Sequence, residues 1–155
     1  MKQKKQKKAR TKTYWKKKAD NLWSEIIRER VCRCEVCGRP GQFTKQGKQI
    51  KGLNAHHLIL RGNLLWRHDL RNGVCLCVYC HKWSPVCCPH GGSIDSTIGF
   101  VDFMKDNKPE QWAWYEHHKD IRKTPELTME ETYNYLKELQ NTGEVLPYSE
   151  RVNKD

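Results

Sequence analysis

The stretch LNAHHLILRGNLLWRHDLRNGVCLCVYCHKW, residues 53–83, decides the fold that we predict. LNAHHLIL (53–60) and GVCL (73–76) have the length of short strands and are predicted as such. The segment between them, 61–72, is predicted as a loop, and CVYCHKW (77–83) as the start of a short helix. The sequence therefore predicts a compact unit of strand, loop, strand and helix.

Two Cys-x-x-Cys pairs are the strongest chemical signal in the chain. Cys34 and Cys37 form the first pair, and Cys77 and Cys80, in the helix-opening segment, form the second. Tetrahedral zinc takes four thiolate or imidazole ligands, and paired turns of this spacing supply them. Gly38, directly after the first pair, permits the tight turn that such a site needs. We therefore expect one structural Zn²⁺ shared by the four cysteines.

The other cysteines have less certain roles. Cys32 lies two residues before the first pair and is an alternative zinc ligand, although the turn ending at Gly38 has the better geometry. Cys75 falls in the second predicted strand and is expected to be a small core residue. Cys87 and Cys88, together with His90, could form half of a second metal site.

Composition bounds the size and the surroundings of the protein. The chain has 155 residues, of which 37% are hydrophobic and 30% charged, so we expect one domain with a small core that needs a stabilising cross-link. Its first residues, MKQKKQKKAR, lack the apolar segment of a secretory signal, and no apolar run approaches the ~18 residues of a membrane helix. We expect a cytoplasmic protein, no membrane partner and reduced, metal-binding cysteines.

The net charge of +11 is unevenly distributed. Residues 1–18 hold ten Lys or Arg and no acid, and residues 44–82 hold seven basic residues against one acid. Residues 83–155 hold thirteen acids against eight basic residues. A basic arm and a basic middle suit a polyanion such as DNA, because neutralising phosphates releases counterions. The arm alone is equally consistent with a solubilising tail.

Flanking segments complete the expected organisation. Residues 1–12 are predicted as a disordered basic tail, 13–30 as an amphipathic helix, 31–92 as the metal-binding core, 93–142 as a helical layer and 143–155 as a tail. Within the layer, helices are predicted at about 94–107, 109–122 and 128–141. Thr128 and Glu131 form a capping box at the start of the last helix. The acidic character of this layer suits packing or contact with a protein partner.

The histidines and the asparagine that lie between the two cysteine pairs and directly after the second pair follow a recognisable spacing. His56-His57 is followed by fourteen residues, Asn72, eight residues and His81. This pattern, interleaved with two Cys-x-x-Cys pairs, resembles the HNH endonuclease family. AHHLILRG and RHDLRNGVCLC are similar to phage recombination-type (NinG-like) members. The resemblance implies an α+β fold with a ββα-metal nuclease core, and an enzyme that cuts DNA.

The resemblance also implies a role for each residue of the pattern. His57 corresponds to the general base, and His56 and His81 to ligands of one catalytic divalent ion. Asn72 corresponds to the residue that fastens the loop between the strands and orients the base. His90 is a further candidate ligand, because the position where some members carry a third histidine is Pro85 here.

The ion and its surroundings follow from ligand chemistry. Many members have Asp where His56 stands, which suits Mg²⁺ or Mn²⁺, whereas imidazole shifts the preference towards Ni²⁺, Co²⁺ or Zn²⁺. Four basic side chains near the pattern are candidate DNA-phosphate contacts: Arg61, Arg67, Arg71 and Lys82. Two alternatives to a DNA nuclease stay open, a non-catalytic zinc-stabilised DNA-binding module and an RNA-directed enzyme or toxin.

Overall fold

A computed structural model describes residues 10–43, 49–90 and 93–142, and it shows an α+β protein. The elements of the described part are, in chain order, α1 (Lys12–Glu29), β1 (Gln42–Phe43), β2 (Gln49–Lys51), β3 (Leu53–His57), a 3₁₀ turn (Leu70–Asn72), β4 (Gly73–Cys77), α2 (Val78–Lys82), α3 (Ile94–Asn107), α4 (Pro109–His118) and α5 (Met129–Thr142). Within these residues, no helix combines the length and apolar character needed to cross a membrane.

The predicted unit of two strands and a helix is present. β3 and β4 pair antiparallel, with Leu53 opposite Cys77 and His57 opposite Gly73, and α2 follows β4 directly. The strand predicted for 53–60 ends early, at His57. Its continuation leaves the sheet because the backbone N–H of Ile59 donates to the Asn72 side chain instead of to a strand. The sheet therefore stops at the position of the histidine pair.

Helix α1 covers the sheet, and its prediction is confirmed. The Thr11 hydroxyl caps its start by accepting a hydrogen bond from the Tyr14 N–H. Its inner face is buried against β3, β4 and α5. The contact with β4 is close, since a Cβ atom at Gly73 would lie 2.3 Å from Ile27 Cδ1 and 2.9 Å from Trp23 Cζ2. A glycine at the start of β4 thus allows α1 to approach the strand.

The C-terminal helices form as predicted, with one exception. α3 has the expected bounds, and α5 begins directly after Thr128 of the predicted capping box, in which Glu131 accepts hydrogen bonds from the N–H and hydroxyl of Thr128. α4 ends at His118, four residues before the predicted end. α5 packs on α1, where the rings of Trp15 and Tyr133 lie 5.5 Å apart. The layer is therefore joined to the core and is not a separate unit.

The hairpin formed by β1 and β2 was not predicted. Gln42 pairs with Lys51 across it, in a segment for which we predicted no strand. Strands of two and three residues are too short to show alternation in sequence. Most of the predicted tails, 1–12 and 143–155, lies outside the described residues, although α1 already begins at Lys12.

Candidate active site and metal centres

The two cysteine pairs meet in space. Cys34 and Cys37 lie before β1, whereas Cys77 ends β4 and Cys80 lies in α2. All four sulfur atoms lie within 4.8 Å of one another, so the group could hold a metal ion such as zinc. Gly38 takes a positive φ of 71°, and its N–H donates to the Cys34 carbonyl. This closes the tight turn that presents the first pair.

The thiols of this group need a cation to ionise together. Burial, the hydrogen bond with Cys37 and the charge of Cys34 raise the pKa of Cys80, and burial raises the pKa of Cys34. Although burial acts in the other direction, hydrogen bonds from the Arg39 backbone and the neighbouring thiols lower the pKa of Cys37 to about 7. One thiolate is therefore favoured without a metal, and a bound cation would stabilise all four.

The remaining cysteines stay outside this group. The Cys32 thiol lies 2.9 Å from the Glu29 carbonyl oxygen and is not part of the cluster. Cys75 is fully buried in β4, as expected for a core residue, and burial raises its pKa to about 12. Among the described residues, Cys87 and Cys88 belong to no group of three metal ligands. A second cysteine site is therefore not formed there, and His90 belongs to a different cluster.

That cluster consists of three histidines from three segments. His56 lies in β3, His81 in α2 and His90 in the segment before α3. The Nδ1 atom of His56 lies 3.3 Å from the Nε2 atom of His81, and the His90 ring centroid is 4.8 Å from each of the other two. One nitrogen from each ring lies within 4.8 Å of the others, so the three could share a metal ion.

The electrostatics of the cluster suit a metal ligand set. Burial and the charges of His81 and His90 lower the pKa of His56 to about 3. Burial and the charge of His90 lower the pKa of His81 to about 4. Both rings are therefore neutral near pH 7 and keep a lone pair, which is the form of imidazole that binds metals. Neutral imidazoles without a carboxylate suit Zn²⁺, Ni²⁺ or Co²⁺ better than Mg²⁺.

His57, the last residue of β3, has a different environment. Its Nε2 atom lies 2.9 Å from the Arg67 carbonyl oxygen, which can only accept a hydrogen bond. Nε2 therefore carries the proton, and Nδ1 keeps its lone pair, 3.4 Å from the Nε of Arg61. Burial and the charges of Arg61 and Arg67, partly offset by the hydrogen bond to the carbonyl, lower the pKa of His57 to about 4. A neutral ring whose Nδ1 keeps its lone pair can act as a base.

One pocket contains both the three clustered histidines and His57. Its volume is about 370 Å³, and it is lined by Ala55, His56, His57, Leu60, Arg61, His81 and His90. Adjacent strand residues normally face opposite sides of a sheet, but β3 ends at His57, which allows both histidines to reach the same space. The structure thus brings together every histidine that the sequence singled out as catalytic or metal-ligating.

Asn72 fastens the loop that borders this pocket. Its side chain is fully buried, accepts the N–H of Ile59 at 2.6 Å and donates to the carbonyls of Ile59 and Trp66 at 3.1 and 2.9 Å. These bonds join the beginning of the loop to its later part. Asn72 is therefore kept away from the pocket and acts on the shape of the loop.

The four candidate phosphate contacts differ in how far their charges are exposed. Arg61 is exposed and lines the pocket, and Lys82 is exposed next to His81. Arg71 is partly buried, pairs with Asp69 and lies over the Trp114 ring. Arg67 requires a correction, because the residue is 8% exposed and its three guanidinium nitrogens bond an acidic side chain of α1 and a backbone carbonyl. It does not present its charge to a nucleic acid.

Sequence reasoning missed two residues beside the pocket, both in α1. The Trp23 ring stacks on the His57 ring, with centroids 3.8 Å apart and 21° between the planes. Asp20 binds Arg67 through both of its oxygens and also contacts His68. The available signal was an acid on the apolar face of α1, directly after Ala19 and before Leu22.

No known protein family matches the chain, and no curated protein or solved structure matches it either. A cation held by three imidazoles, a neutral base and an exposed guanidinium could together polarise an anionic ester and activate water.

Proposed function

We propose that this protein is a metal-dependent endonuclease of the HNH type that hydrolyses phosphodiester bonds in DNA. The observation that carries the proposal is the shared pocket. It combines three imidazoles able to hold a divalent ion with the unprotonated Nδ1 atom of His57 and the guanidinium of Arg61, whose Nε lies 3.4 Å from that atom. The order and spacing of the same residues along the chain resemble the HNH pattern. Two independent properties, spacing in sequence and convergence in space, support the same chemistry.

The reaction assigns one proton transfer to His57. Its Nδ1 atom takes a proton from water, and the water oxygen forms a bond to phosphorus while the bond from phosphorus to the 3′ oxygen breaks. The 3′ oxygen takes a proton from solvent, which gives a 5′-phosphate and a 3′-hydroxyl. His56, His81 and His90 would hold a divalent ion, which would supply charge stabilisation to the phosphate and the leaving oxygen. Arg61 binds the same phosphate through its N–H groups.

DNA is the proposed substrate because the protein is strongly basic and because of the family that its sequence resembles. The net charge is +11, and basic residues are concentrated in residues 1–18 and 44–82, the second of which carries the Arg61 of the pocket. The resemblance to phage recombination-type proteins suggests a role in DNA recombination or processing. The runner-up, a zinc-stabilised DNA-binding module, explains the charge and the cysteines but gives no reason for a base and three ligands in one pocket.

Replacing His57 with Gln tests the proposed base. The Gln amide can still donate to the Arg67 carbonyl, but it has no basic nitrogen at the position of Nδ1. We expect nicking of supercoiled DNA, measured with Zn²⁺, Ni²⁺, Co²⁺, Mn²⁺ or Mg²⁺, to fall roughly 10²–10⁴-fold. DNA affinity, metal content and melting temperature should stay close to wild type.

The matched control is His117→Gln, at an exposed position of α4. This variant should cut DNA at the wild-type rate. If the wild-type protein binds DNA but cuts none with any of these ions, the binding-module function replaces the nuclease. If the wild-type protein cuts and His57→Gln cuts equally well, the base is assigned to the wrong residue.

A further inference from the structure

We infer that α1 is part of the active site and that its residues Asp20 and Trp23 are positioning residues for His57. The inference rests on the proposed function, since it concerns the residue that we assign as the base. It goes beyond that function because α1 lies outside the His–Asn–His segment on which the assignment was made. Two separate contacts support it: one lies at the Nε2 edge of the His57 ring and the other on the face of the ring.

The first contact acts through the carbonyl of Arg67. That carbonyl accepts the Nε2–H of His57 at 2.9 Å, so its direction decides which ring nitrogen is protonated. The Arg67 guanidinium is held by both oxygens of Asp20, at 2.7 and 2.8 Å, and donates to the Arg61 carbonyl at 2.5 Å. Asp20 also contacts the next residue, His68, at 2.8 Å. One carboxylate of α1 therefore fixes two successive residues of the loop.

Asp20 is held in its ionised form by its two partners. Burial acts against ionisation, but hydrogen bonds from Arg67 and His68 and their charges hold the pKa of this carboxyl well below its usual range. The carboxylate is thus present across the neutral pH range. A fork-shaped pair with both oxygens engaged has a defined direction, which an exposed single-contact ion pair lacks.

The second contact is the stack of Trp23 on His57. The indole is 1% exposed, and its N–H donates to the Asp69 carbonyl at 3.0 Å, so the indole itself is fixed. A ring stacked at 3.8 Å cannot turn over without displacing this indole. Asp20 and Trp23 are three residues apart and share one face of α1. Together the two contacts keep Nδ1, rather than Nε2, facing the pocket.

The first test replaces Asp20 with Asn in the zinc-loaded full chain, labelled with ¹⁵N in its histidines. In the wild type we expect the His57 nitrogen shifts of a single tautomer, protonated on Nε2. His57→Gln identifies these signals. Asp20→Asn should give a mixture of tautomers and lower kcat roughly 10–100-fold, as loss of an outer contact to a catalytic group does, with KM and zinc content unchanged. Asp20→Glu, which keeps the charge, should recover most of the turnover.

The second test uses the stack and does not depend on the ion pair. Trp23→Leu should lower kcat, whereas Trp15→Leu should not. Trp15 lies on the same helix but contacts Tyr133 and not His57, so the same substitution serves as the control. If Asp20→Asn does not fold, this pair of variants decides the inference. Equal kcat values for the two tryptophan variants would overturn it, as would a wild-type tautomer pattern and kcat in Asp20→Asn.

The tautomer measurement separates this inference from the proposed function. If the wild-type protein cuts no DNA, the proposed function fails, but a shift of the His57 tautomer in Asp20→Asn still supports positioning by α1. If the wild-type protein cuts DNA and the variant keeps both tautomer and rate, only the inference fails.

Discussion

The three histidines of the candidate metal centre differ in how firmly they are held. His56 is 8% exposed and lies within the sheet, and His81 is held in α2 directly after Cys80 of the four-cysteine group. His90 is exposed and lies in the irregular segment that precedes α3. It is therefore the ligand whose removal should affect the rest of the protein least. Without His90, the cluster would be only a pair of histidines in hydrogen-bond contact, and His90 is what makes it a possible three-imidazole metal site.

Replacing His90 with Ala should weaken the second metal site and leave the first intact. We expect the affinity of the zinc-loaded protein for added Co²⁺, measured from its visible absorption, to fall by more than the ~10–100-fold that loss of an outer-shell partner costs. Cleavage should fall in proportion to occupancy and recover at high Co²⁺. His117→Ala, on the exposed face of α4, should bind Co²⁺ like the wild type. Unchanged affinity in His90→Ala would remove this residue from the ligand set.

The residues of this site that could be predicted from sequence are those that lie at a fixed spacing from a recognisable motif. His56, His57, Asn72 and His81 lie at fixed distances from the second cysteine pair, so their meeting was predictable from spacing. His90 carried no such spacing, because its position depends on how residues 84–90 pack on α3. Arg67 was misjudged because its partner lies 47 positions away, in α1, and no local pattern reveals such a pair.

At the level of elements, α3 supports the segment that carries His90. The Cys88 N–H donates to the Ser96 carbonyl at 2.9 Å. A Cβ atom built at Gly99 would lie 1.9 Å from the Val86 carbonyl oxygen, so the segment lies directly against the helix at this residue. Close approach of two backbones requires a residue without a side chain. This glycine therefore links the packing of α3 to the geometry of the metal centre.

The substitution Gly99→Ala should be destabilising, against the usual effect in a helix. Alanine is ordinarily better than glycine by about 1 kcal/mol in a helix interior. Here the methyl group would collide with a carbonyl of the backbone, and overpacking of this kind costs typically 1–3 kcal/mol. We expect a lower free energy of unfolding in urea and weaker Co²⁺ binding at the histidine centre. Gly62→Ala, where a Cβ meets nothing within 4 Å, is the control and should be nearly neutral. Stabilisation by Gly99→Ala would show that α3 and the segment do not touch as described.

Elements were predictable where their length exceeded about two turns or their ends carried a chemical signal. α1 and α5 show helical spacing of apolar residues, and α5 has its capping box, so both were predicted closely. The end of α4 has no comparable signal, and the chain leaves the helix at His118, whose Nδ1 bonds the Trp114 carbonyl. The hairpin of β1 and β2 was not predicted because its strands of two and three residues are too short to show alternation.

For the whole molecule, the cysteine group joins two segments that lie about forty residues apart in the sequence. The pair Cys34 and Cys37 lies between α1 and the first hairpin, and the other pair lies at the junction of β4 and α2. Glu35, between the first two ligands, accepts the Cys75 N–H and forms an ion pair with Lys108 at the start of α4. A metal at this site therefore holds the turn, the sheet and the C-terminal layer in one arrangement. With a small core and 37% hydrophobic residues, the fold has little else to replace it.

Loss of one cysteine ligand should consequently unfold the domain instead of merely inactivating it. Cys80→Ser leaves three thiols around the ion, and structural zinc contributes about 10–16 kcal/mol of binding free energy in small zinc domains, which is coupled to folding. We expect this variant to contain about one zinc per chain less than the wild type and to lose its cooperative thermal transition. Cys32→Ser is the matched control, since the Cys32 thiol lies outside the cluster, and it should keep both zinc content and melting. Treatment of the wild type with a strong chelator should reproduce the effect of Cys80→Ser, and zinc should reverse it. A Cys80→Ser protein that retains its zinc and melts like the wild type would show that the four cysteines are a core cluster and not a metal site.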